Sequence, residues 1–384
     1  MRAEEIKDAE SLQAWLESLP QKSEDQRETA RRWAVTIAHR AAMRVLPVYW
    51  KASIGRRARY QNYNTIAVLR CNLLSELLAG NLDRRIVPVA LDASRSATKA
   101  HRAGSAARAT LNSAVVSISD RTVLSYAVRD SVKLASRRER FLWNAINQDI
   151  TVADFVFEQE KLAADLRSLD LWHVNNSKNR ETAAWNSGKS KILAQGEGWR
   201  FWVEWYENTL YGRPQDYDLL TKIALIDPAD WDKGADHVNA LIQRIVEQHN
   251  LVKDARALKE EIAQLKERLQ SVEHRSHNNP PELVDETVAA QKEVTIIWAA
   301  LDEAENELEK SAPDLGRLRQ IGEFILKAAK AIGAYCASLA DDAIRTANKT
   351  VVGGAVGLAL LAHQERLVSF GSALIQFAKS LGAP

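Results

Sequence analysis

Cysteine is almost missing from this chain of 384 residues: two occur, Cys71 and Cys336. They lie far apart among apolar neighbours, which argues against a disulfide framework and against a zinc site built from thiolates. Glycine (16) and proline (9) are scarce for the length, so long elements are expected. No stretch alternates apolar and polar residues for long enough to make a strand, and abundant alanine suits helix. An excess of one charge is missing too, with 52 Lys+Arg against 50 Asp+Glu. At 46% hydrophobic and 27% charged, the composition excludes wholesale disorder and a polytopic membrane protein. The opening Met1-Arg2-Ala3-Glu4-Glu5 is polar with no apolar run behind it, so no secretory signal is read and a cytoplasmic location is expected.

Familiar catalytic spacings are missing as well. The sequence contains no His-Glu-x-x-His, no Gly-x-Ser-x-Gly and no Gly-x-Gly-x-x-Gly. Ser187-Gly188-Lys189-Ser190 resembles the end of a phosphate-binding loop, but Ala183 stands where the first glycine must be, and a polar turn between helices is the better reading. His274 and His277 have metal-ligand spacing without the further ligands that zinc requires. No catalytic residue, cofactor site or metal site is assigned. An enzyme with a dispersed site stays as a third reading, because catalytic groups are recognised by geometry and not by order.

What is present is an uneven distribution of charge. Residues 29–148 carry 21 Lys+Arg and 6 Asp+Glu, a net of +15. Residues 1–28 carry 4 against 8, and residues 149–384 carry 27 against 36, so the near-neutral total hides a basic module. Arginine clusters at Arg56, Arg57 and Arg59, at Arg84 and Arg85, and at Arg137, Arg138 and Arg140 make this module the candidate surface for an anionic partner. Nucleic acid, anionic lipid and an acidic protein surface, including the chain's own acidic half, all fit such charge.

The expected fold is all-α: a multi-helix bundle, a Trp-rich helical subdomain, a coiled-coil stalk and a C-terminal helical hairpin. The boundaries read from the chain are 1–172, 173–236, 237–311 and 312–384, the first placed at the asparagine-rich run near Val174-Asn175-Asn176. Helices are expected over residues 3–19, from Ser23 to a stop at Pro47, and over 62–79. Trp199-Arg200-Phe201-Trp202-Val203-Glu204-Trp205-Tyr206 is the densest aromatic block, and core packing is its favoured reading over base stacking. Leu251, Ala255, Leu258, Ile262, Leu265, Leu269 and Val272 alternate in steps of four and three, the seam of a coiled coil within or between chains. A second stripe follows at Leu318, Ile321, Ile325, Ala328, Ile332, Tyr335 and Leu339.

The tail holds thirteen uncharged residues at 350–362 and twelve more at 367–378. Gly353, Gly354 and Gly357 place small residues at the spacing that lets apolar helices touch closely. Thirteen helical residues span about 20 Å against about 30 Å of hydrocarbon, so the segment is too short to cross a bilayer unaided. It is read as a buried packing helix, as an interfacial element or hairpin with residues 367–378 peripheral on the inner membrane, or as a tilted span with local thinning.

Ile37-Ala38-His39-Arg40-Ala41-Ala42-Met43-Arg44-Val45-Leu46-Pro47, the Trp199–Tyr206 block, Arg275-Ser276-His277-Asn278-Asn279-Pro280-Pro281 and the glycine-bearing tail together carry a resemblance. The chain resembles a group of uncharacterised alphaproteobacterial all-helical proteins, which implies a bacterial origin and transfers no activity. The expected function is a non-enzymatic helical interaction protein that self-associates through the coiled coil, with a tail that packs in the assembly or meets membrane; a bacterial defence effector is the specific form of this expectation. Nucleic-acid binding by the arginine-rich module is the alternative.

Overall fold

The computed structural model describes residues 3–53, 65–80, 83, 85–96, 102–119, 124–136, 140–158, 164–172, 180–273, 281–345 and 351–382. Within these, the side chains of 51–53, 102–106, 116–119, 140–141, 155–158, 268–273, 281–291, 332–345 and 351–362, with some single positions at helix ends, lie outside the description. Among the described residues helix dominates and no strand occurs, which is the all-α class. The chain divides into two compact units, Met1–Ile245 and Val246–Pro384.

In the first unit, α1 (Ala9–Ser18) starts later than the helix expected over 3–19, because Asp8 forms a capping box. Ser11 N donates to Asp8 Oδ1 at 2.8 Å, and Asp8 N donates to Ser11 Oγ at 3.1 Å. The next helix, α2 (Glu24–Ser53), is started by Ser23, whose Oγ accepts from Gln26 N at 3.1 Å. Glu24 and Asp25 in its first turn oppose the helix dipole.

Pro47 does not end α2. A proline inside a helix removes one hydrogen bond and crowds a carbonyl, at about 3 kcal/mol. Beyond it, Tyr49 and Trp50 are both buried. The Trp50 ring lies 5.6 Å from Trp185 and 6.3 Å from Trp199. Each such burial stabilises by about 1.5–3 kcal/mol, enough to carry the helix past its breaker.

Helix α2 is buried on almost every side from Trp33 to Trp50, and α3 (Thr65–Ala79) is buried from Ile66 to its end. These two are the axis of the unit. Around them lie α4 (Ile86–Ser96), α5 (Arg102–Ser119), α6 (Leu124–Ser136) and α7 (Arg140–Glu158). The short α8 (Ala164–Arg167) precedes α9 (Arg180–Leu193), which runs through the Ser187–Ser190 motif expected to be a turn. Lys189 there pairs with Glu207 at 2.6 Å. The aromatic block forms α10 (Arg200–Leu210), followed by α11 (Tyr217–Ala224) and α12 (Pro228–Trp231). Trp199, Trp202, Trp205 and Tyr206 are all buried, so the block is core. Through Trp50, that core is continuous with α2.

Helix α13 (Ala235–Glu273) begins in the first unit and continues into the second. There it packs with α14 (Pro281–Leu308), α15 (Leu315–Arg345) and α16 (Val351–Gly382). Leu251, Ala255, Leu258, Ile262 and Leu265 are buried in one core with Val294, Ile297, Leu301, Ile321, Ile325, Leu367, Leu374 and Phe377. The described part of the seam therefore faces its own chain, while the side chains of Leu269 and Val272 lie outside the description. Antiparallel α13 and α14 are stitched by Lys259 with Asp302 at 2.7 Å and by Arg256 with Glu305 at 2.6 Å. The acidic run of α14 is thus met largely by cations of its own unit, Arg317 on Glu303 among them.

Helices α15 and α16 approach closely at Gly322 and Gly371, two glycines not singled out from the sequence. A methyl group at Gly322 would stand 2.7 Å from Ile375 Cγ1 and 2.9 Å from the Gly371 carbonyl. Alanine ordinarily favours a helix over glycine by about 1 kcal/mol. Here overpacking against backbone should prevail, and Gly322→Ala should lower stability by about 1–3 kcal/mol in chemical denaturation. Unchanged or increased stability would remove this contact from the account.

Candidate functional site

The polar groups brought together most closely lie inside the first unit, on α2, α3, α7 and the segment 166–171. Arg40 and Arg44 are four residues apart and share one face of α2. Both point at Asp149 of α7, which is fully buried. Arg44 holds the carboxylate with two bonds, Nη1 to Oδ2 at 2.7 Å and Nη2 to Oδ1 at 2.8 Å. Arg40 Nε donates to Oδ1 at 2.9 Å.

Two cations face one anion, so backbone carbonyls supply the rest. Arg40 Nη1 donates to Leu166 O at 2.9 Å and Leu169 O at 3.0 Å, and Nη2 donates to Asp170 O at 2.8 Å. Arg44 Nε donates to Leu171 O at 2.8 Å. The Arg44 guanidinium also stands 5.6 Å from the Trp172 ring centroid. Burial pulls Arg40 down to about 10, against the pull of Asp149, and it stays charged at neutral pH.

Beside this hub lies a neutral pair. His39 Nδ1 and Ser75 Oγ are 2.8 Å apart, and Ser75 Oγ donates to Asn72 O at 2.8 Å. Because the hydroxyl proton goes to Asn72, the geometry puts the imidazole proton on Nδ1. Nε2 is buried without a partner among the described residues. Burial, reinforced by Arg40 and Arg167, holds His39 down to about 3, so it is uncharged under ordinary conditions.

Glu76, the next residue on α3, is only 3% exposed, and its Oε2 accepts from Trp205 Nε1 at 2.6 Å. Burial pushes its carboxyl up to about 7, against the indole bond and the field of Arg167. Arg70, also on α3, bonds Asp92 at 3.1 Å and lies 4.9 Å from the Trp231 ring centroid.

These groups face one another. Two surface grooves flank α1. One, of about 610 Å³, touches Asp8, Glu10, Lys133, Leu134 and Trp143. The other, of about 380 Å³, touches Leu16, Leu19, Arg27, Leu124 and Tyr126. Among the described residues no group of His, Cys, Asp and Glu is placed to hold a metal ion.

The arginines expected to bind an anionic partner divide differently. Arg56, Arg57, Arg59, Arg84, Arg137 and Arg138 lie outside the described residues, as does the side chain of Arg140 at the start of α7. Arg85 is exposed and bonded to Asp83 at 2.6 Å. Gly353, Gly354 and Gly357 are in α16, in the part whose side-chain surroundings are not described. His274 and His277 also lie outside the description. Sequence reading missed the hub. Its one visible signal was an i,i+4 pair of arginines in an otherwise apolar helix, and part of the module's positive charge (Arg31, Arg40, Arg44 and Arg70) is spent inside the fold.

Compared with known proteins, the chain matches no family model, no curated protein and no solved structure.

Breaking the hub should be costly. Asp149→Asn removes the carboxylate that both buried guanidinium groups hold and should lower stability by about 3–5 kcal/mol in urea titrations. A loss below about 1 kcal/mol would demote the hub.

Glu76 gives a prediction with a definite sign. An acid whose folded-state value is about 7, against an ordinary 4.5, holds its proton longer in the folded chain. Its contribution is complete below about pH 4.5 and is lost as pH rises through about 7. The melting temperature of Glu76→Gln relative to wild type should therefore climb by several degrees between those limits. Parallel curves would show that Glu76 does not titrate there.

Proposed function

We propose that this chain is a non-enzymatic helical interaction protein that self-associates through its C-terminal unit. The observation that supports this most directly is that Arg40, Arg44 and Asp149 of the first unit are paired to each other. Arg40, Arg44 and Asp149 are answered by one another and by four carbonyls, so they build a rigid scaffold and offer nothing to a substrate. Among the described residues no helix is long and apolar enough to cross a membrane. A cytoplasmic location goes with this reading.

Self-association is assigned to one end of the second unit. Because the described seam serves its own bundle, its extension at Leu269 and Val272 and the small residues Gly353, Gly354 and Gly357 are the candidate contact. They belong to the C-terminal end of α13 and the N-terminal end of α16. Glycines at this spacing let a second helix approach closely. Anionic lipid competes with a second copy as the occupant of the tail.

Sedimentation equilibrium of wild type and Gly357→Leu tests the assignment. Wild type should form a defined oligomer that the bulky side chain dissociates, with the helical circular dichroism unchanged. A wild type that stays monomeric overturns self-association. Flotation of the same two proteins with anionic vesicles separates lipid from a second copy.

A second reading is favoured by one feature. Tyr126 and Tyr211 are 49% and 45% exposed, with Arg129 and Arg213 guanidinium carbons 5.4 Å and 5.0 Å from their ring centroids. Exposed tyrosine beside arginine suits stacking on single-stranded nucleic acid. Binding to a labelled oligonucleotide should then weaken steeply with salt and fall in Tyr211→Ala. Salt-independent retention, or full binding by that variant, would end this reading.

A further inference from the structure

We propose that Glu76 and Arg167 form a proton-operated latch between α3 and the tryptophan-rich helices: with the Glu76 carboxyl protonated Arg167 rests on Tyr217, and with the proton lost to solvent the carboxylate draws Arg167 away.

The geometry has four parts. First, the Glu76 carboxyl is buried, its one neighbouring donor is the neutral indole of Trp205, and no cation stands within ion-pair distance of it among the described residues. An ionised carboxylate there lacks the pairing that buried charge requires. Second, Arg167 is the cation whose field reaches this carboxyl, and its present partner is the Tyr217 hydroxyl, bonded by Nη1 at 2.9 Å. Third, Arg167 Nε is buried with no partner among the described residues, so the guanidinium has an unused donor for a second arrangement. Fourth, Gly80 lies directly under the guanidinium, where a methyl group would collide with Nη1. The seat of Arg167 is therefore built against the end of α3, one turn beyond Glu76.

The neighbouring groups leave Glu76 as the one that responds near neutrality. From α2, His39 faces this region and stays uncharged above about pH 3, while Arg40 beyond it is fixed by Asp149. Arg31 bonds the Leu78 carbonyl at 3.0 Å and pairs with Glu28. From α11, burial pushes Tyr217 up to about 12, so it stays protonated. Asp92 of α4 is tied to Arg70, and Arg108 of α5 acts on Cys71, both more than a turn before Glu76 on α3. Glu76 itself, raised to about 7 by burial, changes charge within the physiological range.

The consequence reaches the surface. Tyr217 opens α11 and is 36% exposed, and Trp205 sits in the aromatic core. Moving Arg167 changes the surroundings of both rings, so the loop from Tyr211 to Tyr217 is the part of the first unit whose exposure would follow the proton.

Near-ultraviolet circular dichroism of the full chain, followed from about pH 5 to about pH 9, tests the latch. Wild type should show one transition with a midpoint close to 7. Glu76→Gln should remain throughout in the state that wild type shows at low pH. Arg167→Met removes the cation that welcomes the carboxylate, and should move the midpoint up by about one unit or more. A flat wild-type profile, or the same transition in Glu76→Gln, overturns the proposal. A midpoint unchanged in Arg167→Met overturns the part played by Arg167. The proposal does not depend on self-association, so sedimentation results leave it untouched.

Discussion

One buried carboxylate organises the N-terminal unit. Asp149 is an anion that Arg40 and Arg44 share, bonded to both guanidinium groups, which sit four residues apart on a desolvated helix face. The remaining positive charge is met by the carbonyls of Leu166, Leu169, Asp170 and Leu171. That requirement fixes where residues 166–171 must run. It brings Arg167 to the end of α3 and places Gly212 against the backbone of Ser168–Asp170, where a side chain would not fit. Gly212 has a φ of +59°, a conformation that glycine adopts without strain. The turn between α10 and α11 thus depends, through short steps, on an ion pair in α2.

Burying such a hub is expensive, and apolar replacements of similar shape often serve stability as well or better. What the hub supplies here is specificity of arrangement. Each arginine can donate only where acceptors are fixed in direction, so α2, α7 and 166–171 have one way to fit. The aromatic core does the reverse. Trp50, Trp185, Trp199, Trp202, Trp205 and Tyr206 supply area, and the indoles of Trp185, Trp202 and Trp205 each donate to a single acceptor, Asn239 for Trp202 at 3.0 Å. The interaction function proposed for the chain rests on this division, with a rigid charged interior and the variable chemistry kept at the surface and at the end of the second unit.

Much of the helical pattern was legible in the residues. The aromatic block was read as core and is core. The residues read as a coiled-coil seam over Leu251–Leu265, and those of the heptad-like stripe at Leu318, Ile321, Ile325 and Ala328, are buried in one core. Pro47 was misread, because a local breaker was outweighed by tertiary burial of Tyr49 and Trp50. The Ser187–Ser190 motif was read as a turn, yet it lies inside α9, where glycine is tolerated at modest cost. Arginine counts say nothing about which guanidinium groups point inward, and Arg31, Arg40, Arg44 and Arg70 do.

By itself the sequence determined the all-helical class, the periodic faces that must be covered and the asymmetry of charge, because each of these depends on neighbours within a turn or two. Only the tertiary structure decided which residue answers which. Asp149 is more than a hundred positions from the arginines that it joins, as Glu76 is from Trp205. The partner of a buried charge is chosen by packing direction and desolvation, and neither is written in local spacing.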